Sequence, residues 1–123
     1  MSRLAEVLKL VREILGEHKP VVEVIEHFLE DEKEYLNIRI VIEYKNAIAI
    51  IREYIYRETV IAYGYYFRMT GYEEWWDNRP HHQELPTYPD HKHIDGKIEP
   101  LEKRSIEEFL RHLGELLAMH VHS

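Results

Sequence analysis

Apolar and polar positions along this chain recur in two periods, and each change of period falls at a turn signal. Leu4, Leu8, Val11 and Leu15, joined by Val7 and Ile14, recur at helical spacing and predict an amphipathic helix over residues 3–16. Ser2 is placed to cap it, Gly16 to stop it and Pro20 to close the connection. From there the period becomes two. Residues 21–29 are rich in β-branched side chains. Leu36, Ile38, Ile40, Ile42 and Tyr44 alternate with Tyr35, Asn37, Arg39, Val41 and Glu43, the pattern of a half-buried strand. Residues 47–57 predict a third strand. Residues 60–70 predict a fourth, with Ile61, Tyr63, Tyr65, Phe67 and Met69 on one face. Residues 72–77 predict a short fifth. Turns at Lys45-Asn46 and Thr70-Gly71 make the connections short, which favours an antiparallel meander.

Residues 79–104 hold four of the five prolines and no clean period, so they read as a loop or extended arm. Ser105-Ile106-Glu107-Glu108 is a capping box. It opens a last helix over 105–120, whose apolar stripe is Ile106, Phe109, Leu110, Leu113, Leu116 and Leu117. The expected fold is α+β: one domain over 1–123, with a single antiparallel meander of about five strands in 20–78 and both terminal helices packed on it.

Composition narrows the function classes. With 123 residues there is room for one core, and 45% hydrophobic against 32% charged residues indicates a globular chain. No apolar run approaches the ~20 residues that span a bilayer, and the first residues lack the apolar segment of a signal peptide. The expectation is a cytoplasmic protein with no membrane partner. The absence of cysteine excludes disulfides, thiolate catalysis and zinc-thiolate sites. No Gly-rich phosphate loop, nucleophile elbow or dinucleotide fingerprint is present, which removes P-loop, Rossmann and serine hydrolase chemistry. A net charge of -7 argues against a surface that grips nucleic acid all over; it leaves room for a local basic site and favours a basic protein partner. One Gln and three Asn against nineteen Glu is a bias of heat-adapted proteins, and points to a thermophile.

The chemistry concentrates between Trp76 and His93. Four of the nine histidines, His81, His82, His91 and His93, lie within thirteen residues. In an extended segment His91 and His93 point one way and Lys92 the other, with the two Cα atoms ~7 Å apart. Three readings stay open. In the first, imidazoles with pKa values near ~6.5 act as acid and base in metal-free RNA cleavage. Arg79 and Lys92 then bind phosphate, Trp76 contacts substrate, and Asp77, Asn78 or Glu84 orient a ring. No cofactor is required. In the second, His91 and His93, with His81 and a carboxylate from Asp90, Glu84 or Asp77, hold a divalent metal in a metal-binding protein or hydrolase. In the third, the histidines only bond the loop's own backbone, and the segment is a docking surface of a non-catalytic binding module.

Trp75 and Trp76 fall on opposite strand faces, so one belongs to the core and the other is left to stack on a base or pack under the histidine segment. Tyr54, Tyr56, Tyr63, Tyr65, Tyr66 and Tyr72, interleaved with Arg52, Arg57 and Arg68, fit a base-stacking platform, ordinary cross-strand pairs or a homodimer interface. His112, near Glu108 and Glu115, reads as a solvated helix pair, and His120 and His122 as a frayed tail.

The run from Trp76 to His93 fits the pattern W-D-N-x-P-H-H-x-E-L-x-x-x-P-x-H-K-H. In this it resembles the TumE family of small bacterial and archaeal proteins, toxins of toxin–antitoxin modules. Asp90 and Trp75 stand where that family more often has a histidine and a basic residue. The resemblance implies a toxin neutralised by a small helix-turn-helix antitoxin. RNA as the target comes from the histidines, not from the resemblance.

Overall fold

In a computed structural model of the chain, residues 2–80, 84–102 and 105–119 are described. Helix α1 spans Arg3–Leu15, with the Ser2 hydroxyl accepting a hydrogen bond from the Ala5 amide at 3.2 Å. Gly16 does not stop it. Gly16 keeps right-handed angles, a 3-10 turn runs on over Gly16–His18, and Lys19 at φ 54° takes the left-handed cap position. Seven strands follow: β1 (Val21–Glu30), β2 (Lys33–Ile42), β3 (Ala47–Tyr56), β4 (Thr59–Met69), β5 (Tyr72–Asp77), β6 (His91–Ile94) and β7 (Lys97–Pro100). Helix α2 (Ile106–Met119) comes last, with the Ser105 hydroxyl accepting from the Glu108 amide as the capping box requires.

The strands pair in chain order as one antiparallel meander. The α+β class and the meander are those expected, but the described residues form seven strands, not about five. The two extra strands lie within 79–104, the segment read as a loop. Asp95-Gly96 joins them, both at positive φ (45° and 84°), which is the geometry of a two-residue hairpin turn. The prolines there do not break the ladder. Pro89 precedes β6, and Pro100 ends the edge strand β7, where a missing N–H is tolerated.

Alternation sorts the side chains to two faces. Leu36, Ile38, Ile40 and Ile42 of β2, Ala47, Ala49, Ile51 and Ile55 of β3, and Tyr63, Tyr65, Phe67 and Met69 of β4 are buried on one face. Both helices cover it, contributing Val7, Val11, Leu15, Phe109, Leu110, Leu113 and Leu117 to the same core. Phe109 of α2 packs on Tyr65 and Trp76, ring centroids 5.4 and 5.2 Å away. Carboxylates set into this face tie the helices down. Glu34 of β2 accepts from the Arg3 and Leu4 amides at the start of α1, and Glu74 of β5 pairs with His112 of α2 at 3.0 Å. His112 is therefore a partner of the sheet, not of its helix neighbours. Among the described residues no helix covers the second face. Among the described residues no helix is long and apolar enough to cross a membrane.

Candidate active site on the open face of the sheet

The uncovered face carries a cleft of about 780 Å³ running across β3 to β6. Strand register builds its reactive end. Asp77 of β5 is directly opposite His91 of β6, and Trp75 is opposite His93, so all four side chains fall on the open face. His91 Nε2 is 3.0 Å from Asp77 Oδ1, and His91 itself is only 2% exposed. Its other nitrogen, Nδ1, is 3.1 Å from the Pro89 carbonyl. That oxygen can only accept, so Nδ1 donates. Asp77 Oδ1 also accepts from the Arg79 amide at 2.9 Å, which folds the chain back over the end of β5. The rings of His91 and His93 meet edge to face at 5.0 Å. His93 is half-buried and lies against Trp75 at 4.7 Å. One donor atom from each of Asp77, His91 and His93 falls within 4.8 Å of the others.

The rest of the cleft is aromatic and basic. Trp75 and Tyr66 are cross-strand neighbours, ring centroids 6.1 Å apart, and Tyr54 and Tyr66 line the cleft with Arg52 and Arg79. The cleft thus gathers two arginines and two histidines against one carboxylate, Asp77. A chain of net charge -7 here turns a locally basic surface outward.

The structure brings together some of the residues expected at a site and separates others. His91, His93, Asp77 and Arg79 converge on the cleft. Trp76, expected at substrate, is a core residue, 4% exposed and stacked on His112; Trp75 occupies the open face in its place. Trp76 pairs with Lys92 in the β5–β6 register, so Lys92 sits on the helix side of the sheet and does not reach phosphate in the cleft. Asp90, expected among metal ligands, is buried, accepts from the Tyr63 hydroxyl at 2.8 Å and lines a smaller cavity with Arg3 and Ser105. Asn78 clamps the end of β5 to β4, accepting from the Tyr63 amide and donating to the Ile61 carbonyl. Glu84 is exposed in the segment before β6. His81 and His82 lie outside the described residues, as do His120 and His122. Sequence reasoning offered Asp77, Glu84 or Asp90 as the carboxylate beside His91 and His93; the β5–β6 pairing brings Asp77 to them.

A seven-stranded meander with helices on one face and a histidine–carboxylate cluster on the other defines a small α+β protein with one chemically equipped surface. The family model described as Toxin TumE matches residues 7–119, and the chain belongs to that family. No curated protein and no solved structure matches it. Membership makes it a toxin of a toxin–antitoxin module, with an antitoxin as partner.

Proposed function

We propose that this toxin acts by cleaving RNA on the open face of its sheet. The observation that carries the reading is the convergence of Asp77, His91 and His93 at one end of an aromatic, arginine-bearing cleft. Trp75, Tyr66 and Tyr54 offer π-faces to unpaired bases, and stacking of that kind is indifferent to sequence. Arg52 and Arg79 carry the charge a phosphate backbone needs. A single strand laid along the cleft brings a phosphate to the triad. There the 2′-oxygen attacks phosphorus, the bond to the 5′-oxygen breaks, and the proton lost by the 2′-hydroxyl is replaced by one gained at the leaving oxygen. The products are a 2′,3′-cyclic phosphate and a 5′-hydroxyl. The tyrosine set, a dimer contact on one sequence reading, divides: Tyr63 and Tyr65 are buried in the core and Tyr72 packs against it, while Tyr54 and Tyr66 line the cleft and on this reading meet substrate. The antitoxin is then a helix-turn-helix protein that silences the cleft.

The test is incubation of the pure, untagged chain with end-labelled RNA, with and without ribosomes, in EDTA and in added Mn2+ or Zn2+. Cleavage in at least one condition, abolished in His91→Ala, is the expected result. Intact RNA in every condition, from a protein shown to be folded by circular dichroism, overturns the reading.

A further inference from the structure

We infer that Asp77, His91 and His93 form a binding site for one divalent transition-metal ion. The hydrogen bonding of His91 leads to this. With Nδ1–H committed to the Pro89 carbonyl, Nε2 is the nitrogen aimed at the Asp77 carboxylate, 3.0 Å away. A protonated ring makes an ion pair there; a neutral ring sets a lone pair beside those of the carboxylate, where one cation can take both. The spot is nearly closed to water: Asp77 is 7% exposed and His91 2%. The outer hydrogen bond from Nδ1 to a backbone carbonyl is the arrangement that fixes the tautomer and aim of a metal-binding histidine. His93 supplies the third donor from the same face of the same strand, two residues on.

Donor type and number narrow the ion. Two imidazoles and one carboxylate suit Zn2+, Mn2+ or Fe2+, whereas Mg2+ prefers oxygen and keeps most of its water. Three protein ligands are also what a catalytic zinc takes, with its remaining position given to water or substrate. Here that position faces the cleft. The donors stand on paired strands, whose register fixes them before any ion arrives. Ion binding itself does not depend on the RNA reading; the catalytic use of the ion rests on it. An ion there would supply the positive charge that a phosphate in the cleft meets first.

The experiment is calorimetric titration of untagged, chelator-stripped protein with Zn2+, repeated with Co2+ while following visible absorption. The wild-type chain is expected to take one equivalent that the His93→Gln variant loses or binds roughly a hundredfold more weakly. The visible Co2+ bands disappear with it. His93 is half-buried, so its variant is expected to fold; Asp77→Asn gives a second, nearly isosteric test. His18→Gln, far along the chain in the turn after α1, should bind as wild type does. Equal zinc affinity and stoichiometry in wild type, His93→Gln and Asp77→Asn overturn the site. RNA assays separate the two proposals. Site-specific binding without RNA cleavage keeps the metal and removes the RNA reading. Cleavage at full rate in EDTA, with no site-specific binding, does the reverse and assigns the proton transfers to the imidazoles.

Discussion

Arg3, in the first turn of α1, grips Glu53 of β3 with two nitrogens, Nε to Oε1 at 2.7 Å and Nη2 to Oε2 at 3.0 Å. Glu53 is fully buried, and the Tyr65 hydroxyl donates to it at 2.5 Å. A charged group in the middle of a strand's core face survives only because every oxygen is met. Burial tends to lower the Arg3 pKa, but the hydrogen bond and charge of Glu53 outweigh it, so the net shift is upward and Arg3 keeps its charge. Arg3→Met leaves the carboxylate buried without its counter-charge and is expected to lose about 3–5 kcal/mol of unfolding free energy. The double variant Arg3→Met, Glu53→Met should recover much of that. Urea unfolding of the three proteins checks it, and a single variant as costly as or cheaper than the double refutes it.

Two other carboxylates on the helix face predict the acid limb of stability. Burial pushes the Glu74 carboxyl up, but hydrogen bonds from His112, Tyr72 and Trp76 pull harder, and its pKa falls below the ordinary 4.5. Glu34 behaves likewise, with burial opposed by His27 and the Arg3 and Leu4 amides. A carboxyl whose pKa is lower in the folded state adds stability that is complete above its unfolded pKa. That stability drains away as pH falls through 4.5 toward the folded value. The melting temperature should therefore hold from neutral pH down to about pH 5 and drop below it. In Glu74→Gln the drop should be shallower. An unchanged slope would mean that Glu74 is not one of the groups that titrate.

The β3–β4 turn holds a removable strain. Arg57 and Glu58 both sit in the left-handed region, at φ 49° and 67°, without glycine. That conformation costs an ordinary L-residue roughly 1–2 kcal/mol. Arg57 is engaged, with its amide on the Glu32 carbonyl at 2.9 Å and its side chain on the Glu32 carboxylate at 2.8 Å, whereas Glu58 is the freer choice for replacement. Glu58→Gly relieves the backbone and loses some stability to the looser unfolded chain, so a net gain of about 0.5–1 kcal/mol is expected. Thermal unfolding measures it.

How much of this was legible depended on range. Both helices, the Ser2 and Ser105 caps and the first five strands follow from local periodicity and turn residues. Their faces do too except at Ile61, expected beside Tyr63 but 58% exposed where a bulge in β4 shifts the β3–β4 register. The β6–β7 hairpin was legible too, because Asp95-Gly96 is the strongest short hairpin signal, but the proline count of 79–104 outweighed it. Which tryptophan is core was not readable, since Trp75 and Trp76 differ only by a register that β4 and β6 set. The same holds for Lys92 and Asp90, placed on the far side of the sheet by alternation once His91 is fixed. His91 and His93 share a face by local alternation, but Asp77 stands fourteen and sixteen positions before them, so its selection over Asp90 and Glu84 was not encoded in local spacing.

That one-residue register makes the two tryptophans the sharpest test of where substrate lies. Trp75 is on the open face, 37% exposed and flanked by Tyr66 and His93. Trp76 is packed beneath Phe109 and His112, and its indole N–H donates to Glu74 at 2.6 Å. Truncating each should give opposite results. Trp75→Ala removes a stacking surface and should weaken binding of a short single-stranded RNA by about 1–3 kcal/mol, roughly five- to 150-fold, with little change in melting temperature. Trp76→Ala opens a core cavity and strands a buried acceptor, so it should cost about 3–5 kcal/mol of stability. The RNA affinity of the molecules that stay folded should then be close to wild type. Fluorescence anisotropy with labelled RNA, read beside thermal unfolding, measures both. If Trp76→Ala alone lowers affinity while Trp75→Ala leaves it intact, substrate does not lie on the open face, and the assignment of the cleft fails with it.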